Sequence, residues 1–356
     1  MAQLELLSPV HIGDGERLTG FDFVREGPYL KVYFFDRVIQ VVEREPRNLR
    51  ENILISIKTQ STAGSSFLES LFKDYPHLKN KIEPVYTVRI NGKLQSLQIE
   101  SFIKSVYKPY IPGSEIKGAI RHLFLVGVLM ENKEIRKELI EVLQKGHIKD
   151  AEEILEKNVF YPRNAQKRNA QQDLFKAFVV SDSEPIDPSH LQIEVPELVG
   201  SNEKIYPCEA LKEGTVVNFR EYIDQKILPH FSKFGSYRFL DYIKPENFYK
   251  KLKEFSQKFY GDLLDEEIRF FKEKGKHQTV LHLENIKKRL NDGILLRLGK
   301  HEGYLSTTVM LLVKREDPQL FEKVFRQTQS KVRNEVNKTR RITQDGKTFG
   351  WALLKV

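Results

Sequence analysis

The chain has 356 residues, enough for two domains, since a single core usually stops growing at roughly 250–300 residues. One cysteine, Cys208, excludes an internal disulfide framework and every multi-cysteine zinc site. Lysine and arginine number 58 against 49 aspartates and glutamates, and the resulting +9 favours a polyanionic partner, because neutralising phosphates releases condensed counterions.

In chain order, LELLSPVHIGDGE predicts a strand that breaks at Gly13 and Gly15. FDFV from Phe21 and YLKVYFFDRVIQVV from Tyr29 are rich in aromatic and β-branched residues and predict further strands. NLRENILISIKTQSTAGSSFLESLF predicts a helix in two pieces. In VYTVRINGKLQSLQIESFI, Asn91-Gly92 stands between two alternating runs, a strong hairpin signal. In YIPGSEIKGAIRHLFLVGVLM, Pro112-Gly113 ends a strand and Ser114 is the candidate N-cap. Ile116, Ala119, Ile120, Leu123 and Phe124 then recur at helical spacing. Residues 131 to 157 predict two short charged amphipathic helices split at Gly146, read as a surface insertion, followed by a polar basic loop, YPRNAQKRNAQQD. AFVVSD, LQIEV and VVNFREYI predict strands, residues 245–274 a long amphipathic helix, and ILLRL a strand running into GKHEG. Helix returns from Pro318 to about Arg333, and Asp345-Gly346 predicts a terminal hairpin.

Strands and helices interleave without GxGxxG or GxxxxGK[ST], which argues against nucleotide-binding α/β folds and for two small antiparallel α+β domains. A soft boundary near Gly200 gives residues 1–200, with a helical insertion at about 131–170, and residues 201–356. The N-terminus lacks a basic and apolar leader and no apolar run approaches roughly 18 residues, so the expected compartment is the cytoplasm, without a membrane partner.

Four basic elements are candidates for RNA contact. In LRLGKHEGY, Gly299 and Gly303 allow backbone N–H groups close approach to a ligand, with Arg297, Lys300 and His301 around the turn. An ordinary glycine-containing turn is the alternative. In NKTRR, Lys338, Arg340 and Arg341 can fork onto phosphates, or form a solvated loop. In PGSEIKGAIRH, Ser114, Lys117 and Arg121 lie at a helix N-terminus suited to phosphate, against which Glu115 counts. Arg163, Lys167 and Arg168 are flanked by Phe160 and Tyr161, a pairing suited to a single strand. Asp14, Asp22 and Asp182 are isolated carboxylates expected to serve caps or turns. No HExxH, GxSxG or HxE with PCxxC is present, and His277 and His282 are five apart, so no metal or other cofactor is expected. A metal-independent ribonuclease needs only a base and a cation, for which His11 or His301 are candidates, but a structural histidine is the commoner case.

Together these elements resemble the RAMP superfamily of CRISPR proteins. SPVHIGDGE is similar to its first strand and loop, YIPGSEIKGAIRHLF to its IPGSSxKGAxR helix, and LRLGKHEGY to its glycine-rich loop. Within it, the LRLGxxxG loop, KTRR from Lys338, Gly350-Trp351 and AFVVSDSEP resemble the subunit-five family of type III-A Csm complexes. The sequence departs from that pattern at Glu115, where a serine is usual, and at Asn337, where a proline is usual. The resemblance implies two ferredoxin-like (RRM-like) domains with helical insertions and a non-catalytic subunit. It also implies a place at the 3′ part of the CRISPR RNA, where the subunit caps the complex and supports 3′-end maturation. The implied partners are CRISPR RNA, the backbone and small subunits, target RNA within the complex, and cellular nucleases. A CRISPR-RNA-processing endoribonuclease of the same superfamily and another subunit of the complex are the alternatives.

Overall fold

A computed structural model describes residues 1–60, 66–201, 203–328 and 339–356. The first strand, β1 (Ala2–Leu6), alternates buried and half-buried residues, as a strand with one covered face does. β2 (Gly13–Leu18), β3 (Phe23–Glu26) and β4 (Tyr29–Val32) follow. Gly13 therefore opens a strand rather than breaking one. The expected strand after Tyr29 also ends early, giving way to α1 (Phe35–Val42). Its β-branched residues concealed a helical period, with Val38 and Val42 buried one turn apart. The next helices are α2 (Arg47–Gln60), α3 (Phe67–Asp74) and α4 (Pro76–Lys79). They form a satellite core in which Val38, Ile53, Phe67, Leu68 and Leu78 meet.

β5 (Tyr86–Asn91) and β6 (Ile99–Phe102) precede a small hairpin of β7 (Lys104–Ser105) and β8 (Lys108–Pro109). Then come α5 (Gly113–Glu131), α6 (Lys133–Gln144) and α7 (Ile148–Phe160), with β9 (Phe178–Val180), β10 (Leu191–Glu194) and β11 (Glu197–Val199) after the basic loop. β12 (Cys208–Leu211), β13 (Val216–Phe219) and β14 (Glu221–Ile223) lead through α8 (Leu228–Phe231) and α9 (Leu240–Ile243) to the long α10 (Pro245–Glu273). The chain ends its described course with α11 (His277–Lys288), β15 (Ile294–Arg297), α12 (Met310–Glu316), α13 (Pro318–Thr328), β16 (Arg340–Ile342) and β17 (Trp351–Lys355).

The fold is mixed α+β. One sheet is antiparallel in the order β13-β1-β17-β15, and a seven-stranded sheet runs β2-β6-β12-β10-β5-β4-β3. β1 thus lies between strands more than 200 positions away, and β12 enters a sheet built otherwise from earlier segments. The division near Gly200 does not describe this sharing, because both sheets draw strands from each side of it. Asn91-Gly92 does not make a hairpin either. β5 uses both edges on β10 and β4, so β6 is displaced beyond β12. At Asp345-Gly346 the turn forms, with the Thr343 N–H donating to Lys347 O at 2.8 Å, but β16 pairs with β11 while β17 enters the other sheet.

α5 and α10 cross through the main core. A methyl group at Gly127 would stand 2.0 Å from the Phe255 ring, so the helices meet here only because residue 127 has no side chain. The helices of residues 131–170 are less superficial than expected. Ile135, Leu139, Leu143, Leu155 and Val159 are all buried in the main core. Among the described residues no helix is long and apolar enough to cross a membrane.

Candidate nucleic-acid interface

β15 delivers the chain into the glycine-rich loop, and the loop leans on the segment after β1. The Lys300 N–H donates to His11 O at 2.8 Å, and a Cβ on Gly299 (φ +81°) would stand 2.3 Å from that same oxygen. The close approach that requires glycine here is therefore made to the protein's own backbone. Gly303 (φ +90°) differs, since the nearest atom to its Cβ position is 4.0 Å away. His301 also has positive φ and is 7% exposed, with its ring stacked on His11 at 6.0 Å between centroids. Among the described residues neither of its ring nitrogens has a hydrogen-bond partner. Burial, then the charges of Arg341 and Lys300 and the His11 ring, push its pKa down to about 3, so it is neutral. His11 is 1% exposed, with Nδ1 2.6 Å from Glu209 O and Nε2 3.6 Å from the Glu100 carboxylate. Lys300 is exposed and reaches Glu100 at 2.7 Å.

Arg297 and Arg340 depart from the expectation most. Both are buried, and both turn toward Glu267 on α10, which is itself 1% exposed. Arg340 Nε donates to Glu267 Oε1 at 3.0 Å. Arg297 donates through Nε to Phe349 O at 3.1 Å, and its second guanidinium nitrogen lies 3.4 Å from Glu267 Oε2, an electrostatic contact without hydrogen-bond geometry. Arg297 lies 4.6 Å over the Trp351 ring and Arg340 4.8 Å over Phe270. Two basic motifs read separately as ligand-facing are thus joined through one inner carboxylate. Arg341, one residue on, is exposed. Lys338 lies outside the described residues.

At the start of α5 the N-cap is Pro112, not Ser114, which is exposed within the first turn. Asp182 accepts the Gly113 N–H at 2.7 Å, so a carboxylate already occupies the position proposed for phosphate. Lys117 and Arg121 are turned inward. Lys117 donates to Phe178 O at 2.5 Å, and Arg121 pairs with Asp173 at 2.9 Å and with Glu156 while lying 3.7 Å over Phe160. In the basic loop Arg163, Lys167 and Arg168 are exposed, but Phe160 and Tyr161 are buried and offer no stacking surface. Among the described residues the exposed cations of the candidate set are thus Arg163, Lys167, Arg168, Arg341 and Lys300, of which Lys300 is paired.

Three features were missed. A groove of about 1330 Å³ is lined by Lys93, Lys204, Tyr206, Lys274 and Lys276, which no local motif connects. Glu209, fully buried, accepts from Tyr86 OH at 2.7 Å and the Phe102 N–H at 2.9 Å and pairs with Lys104. Glu194, equally buried, accepts from Asn91 at 3.0 Å and from Gln192. Burial, reinforced by the Asp345 charge, pushes the Glu194 pKa up to about 8. The folded state then holds a proton that the unfolded chain releases near its ordinary value, so this contribution is full below that value and is lost as pH rises through about 8. Urea midpoints of the native protein should therefore fall more between pH 5 and pH 8 than those of Glu194→Gln. Equal changes would mean that Glu194 ionises normally in the fold.

The RAMP superfamily profile matches residues 3–273, and so stops short of the glycine-rich loop. A CRISPR Csm5 protein of Streptococcus thermophilus is 27% identical over 203 residues, 52% of this chain and 51% of the relative, so the match spans about half of that protein. A Csm5 protein of Methanocaldococcus jannaschii is 25% identical over 329 residues, 88% of this chain and 73% of the relative. Two solved structures share the fold at 24% identity. The crystal structure of T. onnurineus Csm5 is covered over 99% of both chains with a TM-score of 0.77. A chain of the cryo-EM structure of a type III-A Csm–crRNA–target RNA ternary complex is covered over 100% of both with a TM-score of 0.80. With three quarters of its length inside the family profile, the chain belongs to the RAMP superfamily of CRISPR proteins, and within it is similar to the Csm5 subunit of type III-A Csm complexes.

Proposed function

We propose that this chain is the RNA-binding capping subunit of a type III-A Csm ribonucleoprotein. It contacts the 3′ part of the CRISPR RNA and supports 3′-end maturation and assembly, without cleaving RNA itself. The observation that carries this reading is the end-to-end likeness to a chain from a Csm–crRNA–target RNA complex. The +9 charge and the exposed Arg163, Lys167, Arg168 and Arg341 support it. Its partners on this reading are CRISPR RNA, the backbone and small subunits, target RNA within the complex, and cellular nucleases. The expected two ferredoxin-like units belong to the same proposal. The four-stranded antiparallel sheet, tied to α10 where the Ser256 hydroxyl receives the Leu295 N–H at 2.8 Å, is consistent with one of them. The burial of His11 and His301 weighs against the endoribonuclease alternative, since a general base must reach the proton it removes.

Binding of single-stranded RNA should be sequence-tolerant and steeply salt-dependent. Four phosphate contacts would give a slope of about −3 in log affinity against log salt, at roughly −0.7 per contact. Fluorescence anisotropy across a salt series measures it, and a flat response would refute the reading. For the capping role, native mass spectrometry of the reconstituted complex should count one copy of this chain beside several backbone subunits. Two or more copies would overturn that role.

A further inference from the structure

The groove left unassigned above is built from segments far apart in the chain. Lys93 follows β5, Lys204 and Tyr206 lie between β11 and β12, and Lys274 and Lys276 occupy the turn between α10 and α11. Four lysines line it against two glutamates, Glu197 and Glu203. Lys276 and Glu197 pair at 2.5 Å and cancel one another. Lys93, Lys204 and Lys274 are exposed and their ammonium groups have no partner among the described residues, leaving an unbalanced positive lining that opposes only Glu203.

Tyr206 is 42% exposed at the groove. Arg17, which does not line the groove, places its guanidinium 3.8 Å from the ring centroid and is held by Gln98 at 3.0 Å. The ring is thus braced by a planar cation while much of its surface stays accessible, an arrangement that favours stacking of another flat, electron-rich group. Arg341 joins this surface from the side, since it pairs in register with Leu198 of the groove wall and lies within electrostatic reach of Glu203. The volume exceeds the roughly 300–1,000 Å³ of small-ligand pockets, and the polar, lysine-rich lining is unlike their apolar walls. An extended polyanion with flat groups fits both properties.

We infer that the groove holds a run of single-stranded RNA, with a base stacked on Tyr206 and phosphates on Lys93, Lys204 and Lys274. The inference rests on the RNA-binding reading above and adds where the strand lies. Stacking and phosphate contact are indifferent to base identity, so occupancy should be sequence-tolerant.

The test uses the full-length protein, fluorescein-labelled oligouridylate and anisotropy over a salt series. Tyr206→Ala should weaken binding about tenfold, and Tyr206→Phe should restore it, because the ring rather than the hydroxyl carries the stack. The triple variant Lys93→Glu, Lys204→Glu, Lys274→Glu should weaken binding further and reduce the salt slope by about two, at roughly 0.7 per lost contact. All four positions are exposed, and unchanged melting temperatures should accompany these losses. If the native protein binds the oligonucleotide and both Tyr206→Ala and the triple variant bind it equally well, the groove is not the site and the RNA-binding reading survives. If the native protein binds none, that reading falls and the groove assignment with it.

Discussion

Glu267→Ala should lower the unfolding free energy by about 3–5 kcal/mol, because it removes the carboxylate shared by two buried guanidinium groups. Glu267, Arg297 and Arg340 are each no more than 5% exposed, so water cannot readily replace the lost partner. The Trp351 and Phe270 rings near the two cations offset only part of the loss, since a cation–π contact contributes about 0.5–2 kcal/mol. Arg341→Ala is the natural control. It changes an adjacent but exposed arginine and should shift stability by no more than about 0.5 kcal/mol. Urea titration of both variants makes the comparison. A cost below about 1 kcal/mol for Glu267→Ala would mean that the cluster opens to solvent.

Gly299→Ala should cost about 3 kcal/mol, the sum of a left-handed backbone for a non-glycine residue and a clash with a fixed atom. The clash is with a main-chain oxygen, His11 O, 2.3 Å from the added carbon. That oxygen also receives the Lys300 N–H, so moving it away would break a hydrogen bond. Among the described residues Gly303→Ala meets only Arg340 Cδ at 4.0 Å, an ordinary van der Waals contact, and should cost only the backbone term, about 1–2 kcal/mol. Denaturation midpoints should separate the two glycines by at least 1 kcal/mol on this account. Equal costs would mean that the loop moves away from His11 as a unit.

Local periodicity made the helices legible. The heptad-like spacing through α5, the 29-residue run of α10 and the split between α6 and α7 at Gly146 are all visible in sequence, because a helix is specified by neighbours within four positions. Sheet partners are not specified that way. Asn91-Gly92 has the composition of a hairpin turn, yet β5 finds its partners at residues 29–32 and 192–194. α1 failed for another reason, since Val38, Ile39, Val41 and Val42 satisfy strand propensity and helical spacing together. At the site, LRLGKHEG and KTRR were legible as motifs but not as structural ones. What their buried arginines share is Glu267, which lies on α10 ahead of both motifs in the sequence and resembles any other charge on that helix. The groove has no signature for the same reason, since its lysines come from three segments far apart in the chain.

The neighbours of β1 set an order of events in the cell. Its sheet partners are residues 216–219 on one edge and 352–355 on the other. Ribosomes add about 5–20 residues per second, so roughly 20 s to more than a minute separates synthesis of β1 from that of its second partner. During that interval an apolar strand, with Leu4 and Leu6 destined for full burial, has a free hydrogen-bonding edge. Nascent chains stalled before residue 351 should therefore be bound by chaperones or aggregate, and synthesis of residues 352–355 is what releases them.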